Sequence, residues 1–597
     1  MIGRVAGWAA LWRRRVAMAA TAAAALAVAP ARADDGPTAA RWIGPEAVVY
    51  LEVPRPADLY DALATGPLGA VVGDQPAYQK ALDAPQARQA RAAVDFVANL
   101  LGTTPDRGLR NLAGGGIVFA IEEAQPPRAI LVVTPTDPEF LKTAHAKLIE
   151  MARKDAVEKG KPDPIKQADH RGVTGYSLSD QEAHAIVDGR LIVANGGDAL
   201  KAVIDRTLDP SSKSIVDDEL WQSRRKDLAA DGAAAWAVAK LDRLRVLDPK
   251  RFGRGDAQPD AGATFLFGPW IAAIQTAPWA AAVLRHDGDR LAAEFVLPTP
   301  EKGFDEPLLA FIPPAGAGAP APIRVPGGLA TINLWRDAAA IWEKRAELFP
   351  PEAQAGFAQL DGFAGTFFAG RDFASVLDSL GTSWRLVAAA QDPSALDPRP
   401  DLALPAFALV IDLKPDDPEL PQRLKVAFQS FIGVVNLGAA ETKAPPLELG
   451  SETVGGVTIA TSKFMRAPSA EGEPVHLRHN FSPSAMQVGD RFVFSSSIGL
   501  ARDLVAALTA APASGGLPAN ATLLAEADGR GLAGLVAVNR ERLALQNMVE
   551  QGNDRASAEA EIDALAALLR ALGQAELTVE DRPESVRARL GFTLGRP

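Results

Sequence analysis

Val187-Asp188-Gly189-Arg190-Leu191-Ile192-Val193 decides how this chain is read. An Asp-Gly pair between two apolar runs forms a two-residue hairpin turn, because both central positions then tolerate positive φ. Residues 185–187 and 191–193 are therefore expected as neighbouring antiparallel strands. The pattern returns 301 positions later as Val488-Gly489-Asp490-Arg491-Phe492-Val493-Phe494.

Other landmarks repeat in the same order. Pro45-Glu46-Ala47-Val48-Val49-Tyr50-Leu51 is echoed by Pro326-Gly327-Gly328-Leu329-Ala330-Thr331-Ile332, and the run from Val132 to Phe140 by that from Asp412 to Leu420. Gly172-Val173-Thr174 returns as Gly456-Val457-Thr458, Ala237-Val238 as Ala537-Val538, and Phe295-Val296-Leu297 as Phe592-Thr593-Leu594. The offsets drift only from 280 to 301, which points to a tandem duplication with about 17 residues inserted in the second copy between Phe464 and Met486.

Within a copy, short β-branched runs alternate with amphipathic stretches. Strands are expected at 48–53, 117–121, 130–133, 173–178, 185–187 and 191–193, and helices at 57–63, 85–101, 137–156 and 198–208. Ala90, Val94, Val97 and Leu101 make the apolar stripe of the second helix. Strands outnumber what parallel crossovers connect, so the fold class is α+β: two tandem homologous modules of mainly antiparallel sheet with helices packed on one face. The expected division is a first module at 34–300, a Pro/Gly/Ala-rich linker at 301–322, centred on the run from Pro313 to Pro322, and a second module at 323–597 with its insertion near 465–485.

Residues 1–33 are set aside from the fold. Arg4, Arg13, Arg14 and Arg15 form a positive start, residues 16–28 are small and apolar apart from Thr21, and Ala31-Arg32-Ala33 offers a cleavage site before Asp34. The apolar run is shorter than the roughly 20 residues a spanning helix needs. The expectation is a secretory signal cleaved after Ala33, a periplasmic or extracellular destination and no membrane span in the mature chain; an uncleaved anchor is the alternative. Without cysteine there is no lipobox, disulfide or thiolate metal site. The remaining chain carries 57 basic against 73 acidic residues, a formal charge of −16, and has no basic cluster interleaved with aromatics, which argues against nucleic acid as a partner.

Motifs that carry chemistry are weak. Gly114-Gly115-Gly116 runs into a strand rather than opening a helix, so it reads as a turn and not a phosphate cradle. No GxxxxGK[ST], GxSxG or HExxH pattern occurs. Ser223-Arg224-Arg225-Lys226 matches S-x-x-K but reads as a solvated helix face, and Arg254-Gly255-Asp256 is a chance tripeptide in a polar loop. His476 and His479 flank Leu477-Arg478 between Pro474 and Pro483, where an extended loop sets them apart. His145, His170, His184 and His286 lack ligand spacing and read as neutral surface histidines. Asp137 and Glu139, echoed by Asp417 and Glu419, read as helix caps rather than a calcium or acid/base pair, and Trp270 and Trp279 as core residues.

The segment from Pro45 to Pro54 with Ala57-Asp58-Leu59-Tyr60-Asp61-Ala62-Leu63, together with Asp169-His170-Arg171-Gly172-Val173-Thr174-Gly175-Tyr176 and Gly189-Arg190-Leu191-Ile192-Val193, resembles an uncharacterised family of large exported bacterial proteins containing a domain of unknown function. The resemblance covers about residues 42–250 and implies an exported α+β protein without assigning catalytic residues. No catalytic, cofactor-binding or metal residue is expected, and no cofactor. The functional expectation is an exported, non-catalytic envelope scaffold or binding protein, whose partners are envelope proteins or a small ligand. Its alternatives are a periplasmic carrier of lipid, peptide or glycan between the two modules, and an unrecognised hydrolase.

Overall fold

The hairpin at Asp188-Gly189 forms as read: both residues have positive φ, and Val187 pairs with Arg190 across the turn. The computed structural model describes residues 39–595 except 62–65, 74–78, 80–81, 253–259, 301–302, 369, 442–443, 466–476, 511–519 and 583. The signal reading, His476 and the tripeptide Arg254-Gly255-Asp256 lie outside the described residues. The chain falls into two units, the first comprising residues up to 254 with 277–297 and the second comprising 255–276 with 298 onward.

The first unit holds β1 (Ala47–Val53), β2 (Gly116–Glu122), β3 (Arg128–Thr134), β4 (Lys166–His170), β5 (Val173–Ser179), β6 (Glu182–Val187), β7 (Arg190–Ala194), β8 (Ala235–Lys240), β9 (Trp279–Asp287) and β10 (Arg290–Pro298). They lie in the order β4-β5-β6-β7-β3-β2-β1-β8-β9-β10, every pair antiparallel. The second unit holds β11 (Gly328–Trp335), β12 (Leu380–Ala389), β13 (Ala406–Leu413), β14 (Leu447–Val454), β15 (Val457–Phe464), β16 (Ser484–Val488), β17 (Arg491–Ser495), β18 (Ala521–Asp528), β19 (Gln574–Asp581) and β20 (Ser585–Thr593). Their order is β14-β15-β16-β17-β13-β12-β11-β18-β19-β20, again all antiparallel. The two units thus repeat one strand order, and the architecture is α+β.

Pleating decides what each strand buries. In β6, Ala183, Ala185 and Val187 join the core under the helix Gly197–Leu208, with Ile192, Val203 and Ile204. His184 points to the opposite face, where it meets the helix Pro138–Glu158. In the second unit, Met486 and Val488 pack with Leu500 and Leu504 of the helix Ile498–Thr509. Ala485 and Phe492 pack with Leu424, Phe428 and Ile432 of the helix Leu420–Glu441. No described helix is long and apolar enough to cross a membrane.

Four local expectations are corrected. Ala537-Val538 ends the helix Gly529–Val538, and the strand corresponding to β8 is β18, so that two-residue echo is fortuitous. The Pro/Gly/Ala stretch belongs to the second unit: Phe311 and Ala319 are buried, and the Ala319 amide donates to the Ala521 carbonyl. Small residues let an extended backbone lie flat there. Residues 260–276 also fall in the second unit, although the expected first module includes them. In the helix Pro85–Leu100, Val94 of the expected stripe faces solvent while Val97 and Leu101 are half-buried and Ala98 is buried, so only the C-terminal end of the stripe lies near the packed side.

Candidate functional site

The site is built where a helix crosses a hairpin. Asp137 caps the helix Pro138–Glu158 by accepting from the Phe140 amide at 2.9 Å. Leu141, Ala144 and Ile149 are its inward residues, and His145, one turn after Leu141, shares their side. On the sheet, Tyr176 of β5 pairs directly with His184 of β6. His184 is buried, and its Nε2 lies 3.0 Å from His145 Nε2. On the other side of the ring, His184 Nδ1 lies 2.5 Å from Glu182 Oε1, on the same strand two residues back. Glu182 is itself held by the Leu178 amide, which donates to Oε2 at 3.1 Å. Tyr176 stacks on His184 with centroids 5.8 Å apart, and His145 meets both rings edge-on at 4.8 and 5.1 Å.

The electrostatics follow from this order. A carboxylate at Nδ1 demands a proton there, so a neutral His184 presents its Nε2 lone pair to His145. Burial, followed by the neighbouring His184, holds the His145 pKa down to about 4. The result is a carboxylate–imidazole–imidazole chain. Ser177, the hydroxyl next to Tyr176, donates to the Ser179 carbonyl at 2.6 Å and not to either histidine.

The second unit shows the same place without polar groups. Ala460 and Ala485 pair as Tyr176 and His184 do. Leu424, Ala427 and Ile432 repeat the inward positions of Leu141, Ala144 and Ile149, which puts Phe428 where His145 lies. All are part of an apolar core.

The two histidines read from sequence as unrelated surface residues are thus brought together, 39 residues apart, by a helix and a strand. The signal that could have found them is a histidine interrupting the alternation Ala183-x-Ala185 and another on an apolar helix stripe. The remaining candidates stay apart. His170 contacts Asp205 at 2.8 Å, and His479 rests edge-on to Phe464. Ser223 donates to the Leu220 carbonyl, Gly115 donates to Thr134 at the start of β2, and Trp279 lies beneath Arg224. Asp137 caps as expected, and Asp417 accepts a backbone hydrogen bond from Glu419 just before the helix that begins at Leu420, together with side-chain bonds from Arg371 at 2.6 Å and Ser379 at 3.1 Å. Among the described residues no three or more His, Asp or Glu side chains converge as metal ligands. Two clefts of the second unit, about 120 and 190 Å³, are smaller than the roughly 300–1,000 Å³ of a ligand pocket.

The second unit also carries an unusual surface. The helices Pro351–Phe367 and Leu420–Glu441 pack together. Their outer sides expose Leu360, Phe363, Phe431, Val434 and Leu437, the last at 70%. No charged residue occurs from Val426 to Ala440, and a Cβ at Gly356, Gly362, Gly365 or Gly433 would meet open space.

No family model matches this chain, and no curated protein does. Among solved structures it is similar to crystal form I of TP0453, with 13% identity, a TM-score of 0.25 and coverage of 47% of this chain and 84% of that one. Crystal form III of TP0453 is similar at 12% identity and the same TM-score, over 46% and 85%.

Proposed function

We propose that this chain is an exported, non-catalytic envelope scaffold that assembles through the outer helix face of its second unit. The observation that carries the reading is that face: large apolar side chains stand in water over two adjoining helices with almost no charge between them. Interior glycines cost a helix about 1 kcal/mol each relative to alanine, and no contact among the described residues requires these four. Close approach by another backbone gives them a purpose.

The occupant that fits is a second copy of the chain. A surface that must match itself needs both projections and hollows, as an isologous contact does. Phe363, Phe431 and Leu437 supply the first, and the glycines the second. Helices of 17 and 22 residues side by side span roughly 25–33 Å by 20 Å, comparable to the ~800 Å² per partner of a stable interface. The N-terminal signal features and the resemblance to exported proteins support the envelope location.

The test is sedimentation-velocity ultracentrifugation of the chain from residue 34 at micromolar concentration. Wild type is expected as a dimer, and Phe431→Asp with Leu437→Asp as a monomer with unchanged circular dichroism. A wild-type chain that stays monomeric up to about 100 micromolar, or a variant that still dimerises, removes the reading.

A further inference from the structure

We propose that His145 and His184 are the two protein ligands of a divalent transition-metal site in the first unit, taking a borderline cation of the Zn²⁺, Ni²⁺ or Cu²⁺ class. Imidazole suits these cations, and water or an exogenous donor would complete the coordination. The inference is independent of the assembly reading above.

Three observations carry it. First, the two Nε2 atoms converge at 3.0 Å from separate elements, a helix and a strand. Two nitrogens each about 2.0–2.1 Å from one cation, in adjacent coordination positions, lie about 3 Å apart. Second, the other ring nitrogen of His184 is engaged by Glu182, and Glu182 is fixed by the Leu178 amide. A carboxylate on the far nitrogen sets the tautomer and aims the near one, which is how ligating histidines are commonly held. Tyr176 stacked on the His184 ring opposes its rotation. Third, the fold does not need polar atoms here, because the second unit fills the corresponding place with Phe428, Ala460 and Ala485. Burying polar side chains where apolar ones suffice costs stability and calls for a use. With two protein donors the site is open, and its cation exchangeable.

Cu²⁺, which binds tightest of the three, is the probe. The chain from residue 34 is titrated with CuCl₂ and followed by electron paramagnetic resonance. Wild type is expected to bind one ion with superhyperfine splitting from two imidazole nitrogens. His145→Gln and His184→Gln should each weaken binding at least about tenfold and remove the two-nitrogen pattern. Glu182→Gln should weaken it by about tenfold and keep the pattern. Should the histidine variants fail to fold, the wild-type chain is treated with diethyl pyrocarbonate with and without Zn²⁺, and His145 is expected to be protected by the metal while His286 is not. No copper binding, binding undiminished in both histidine variants, or absence of selective protection overturns the proposal and leaves a hydrogen-bonded histidine pair.

Discussion

Replacing Arg336 with methionine should loosen one helix of the second unit selectively. Arg336 is buried, and its pKa is lowered to about 10 by that burial. Its Nε donates to the Phe265 carbonyl at 2.9 Å and Nη2 to the Leu266 carbonyl at 2.7 Å, while Nη1 reaches the carbonyls of Trp335 and Thr522 at 2.6 and 3.0 Å. The helix needs this. Pro269 has no N–H to give the carbonyl four residues back, which is Phe265, and the backbone leaves helical geometry at Phe267. The guanidinium replaces the missing donor. A thioether in its place would strand at least two buried carbonyls at about 1–3 kcal/mol each. Relief from burying the charge offsets part of this, so we expect a net loss of about 3 kcal/mol. At about 1.4 kcal/mol per decade, amides of the helix Ala261–Thr276 should exchange roughly 100-fold faster by hydrogen–deuterium exchange mass spectrometry, with β9 peptides as the control. Arg336→Lys, which keeps charge but not the fork, should fall between. Exchange in Arg336→Met within about threefold of wild type refutes the reasoning.

The Asp581 carboxyl is buried, and burial raises its pKa to about 6, against the opposing pulls of the Thr522 side chain and of Arg336. Its folded value lies above its unfolded value of about 3.9, so stability is fullest below about pH 4 and falls as pH rises through about 6, by about 3 kcal/mol. Asp581→Asn should flatten that slope in urea titrations at pH 4.5 and 7, and an unchanged slope counts against it. Gly529→Ala places a Cβ against the carbonyls of Leu569 and Gly573 and should lower stability by about 2 kcal/mol or more, read as a urea midpoint; a midpoint equal to wild type means the backbone there yields. Combining His145→Phe, Tyr176→Ala and His184→Ala, which transplants the second unit's side chains, should leave the stability of the first unit within about 1 kcal/mol of wild type, whereas a collapse of that unit would show that the polar cluster is structurally required.

What was legible in the sequence is what local chemistry dictates. Asp188-Gly189 and its echo Gly489-Asp490 are turn signals whose physics lies in two residues, and they locate hairpins in both units. From those hairpins the antiparallel α+β class follows. The errors arise where small residues carry little information. Ala537-Val538 matches a strand by composition alone, and Ala319 in a proline-rich run packs because it is small. The histidine pair is illegible for a different reason. His145 and His184 meet only because the helix lies across β6 on the face opposite Ala183 and Ala185, a choice made by tertiary packing. The outer helix face is illegible in the same way: nothing in the order of Phe431, Val434 and Leu437 tells a buried side from an exposed one, and the structure sets them in water.

The repeated strand order makes the molecule its own reference sample. Whatever temperature, denaturant or added ion does to this topology in general, it does to both units of the same chain in the same tube. A response confined to peptides around His184 and absent from those around Ala485 reports on the polar cluster alone, free of the concentration and buffer errors that attend comparison of two separate proteins.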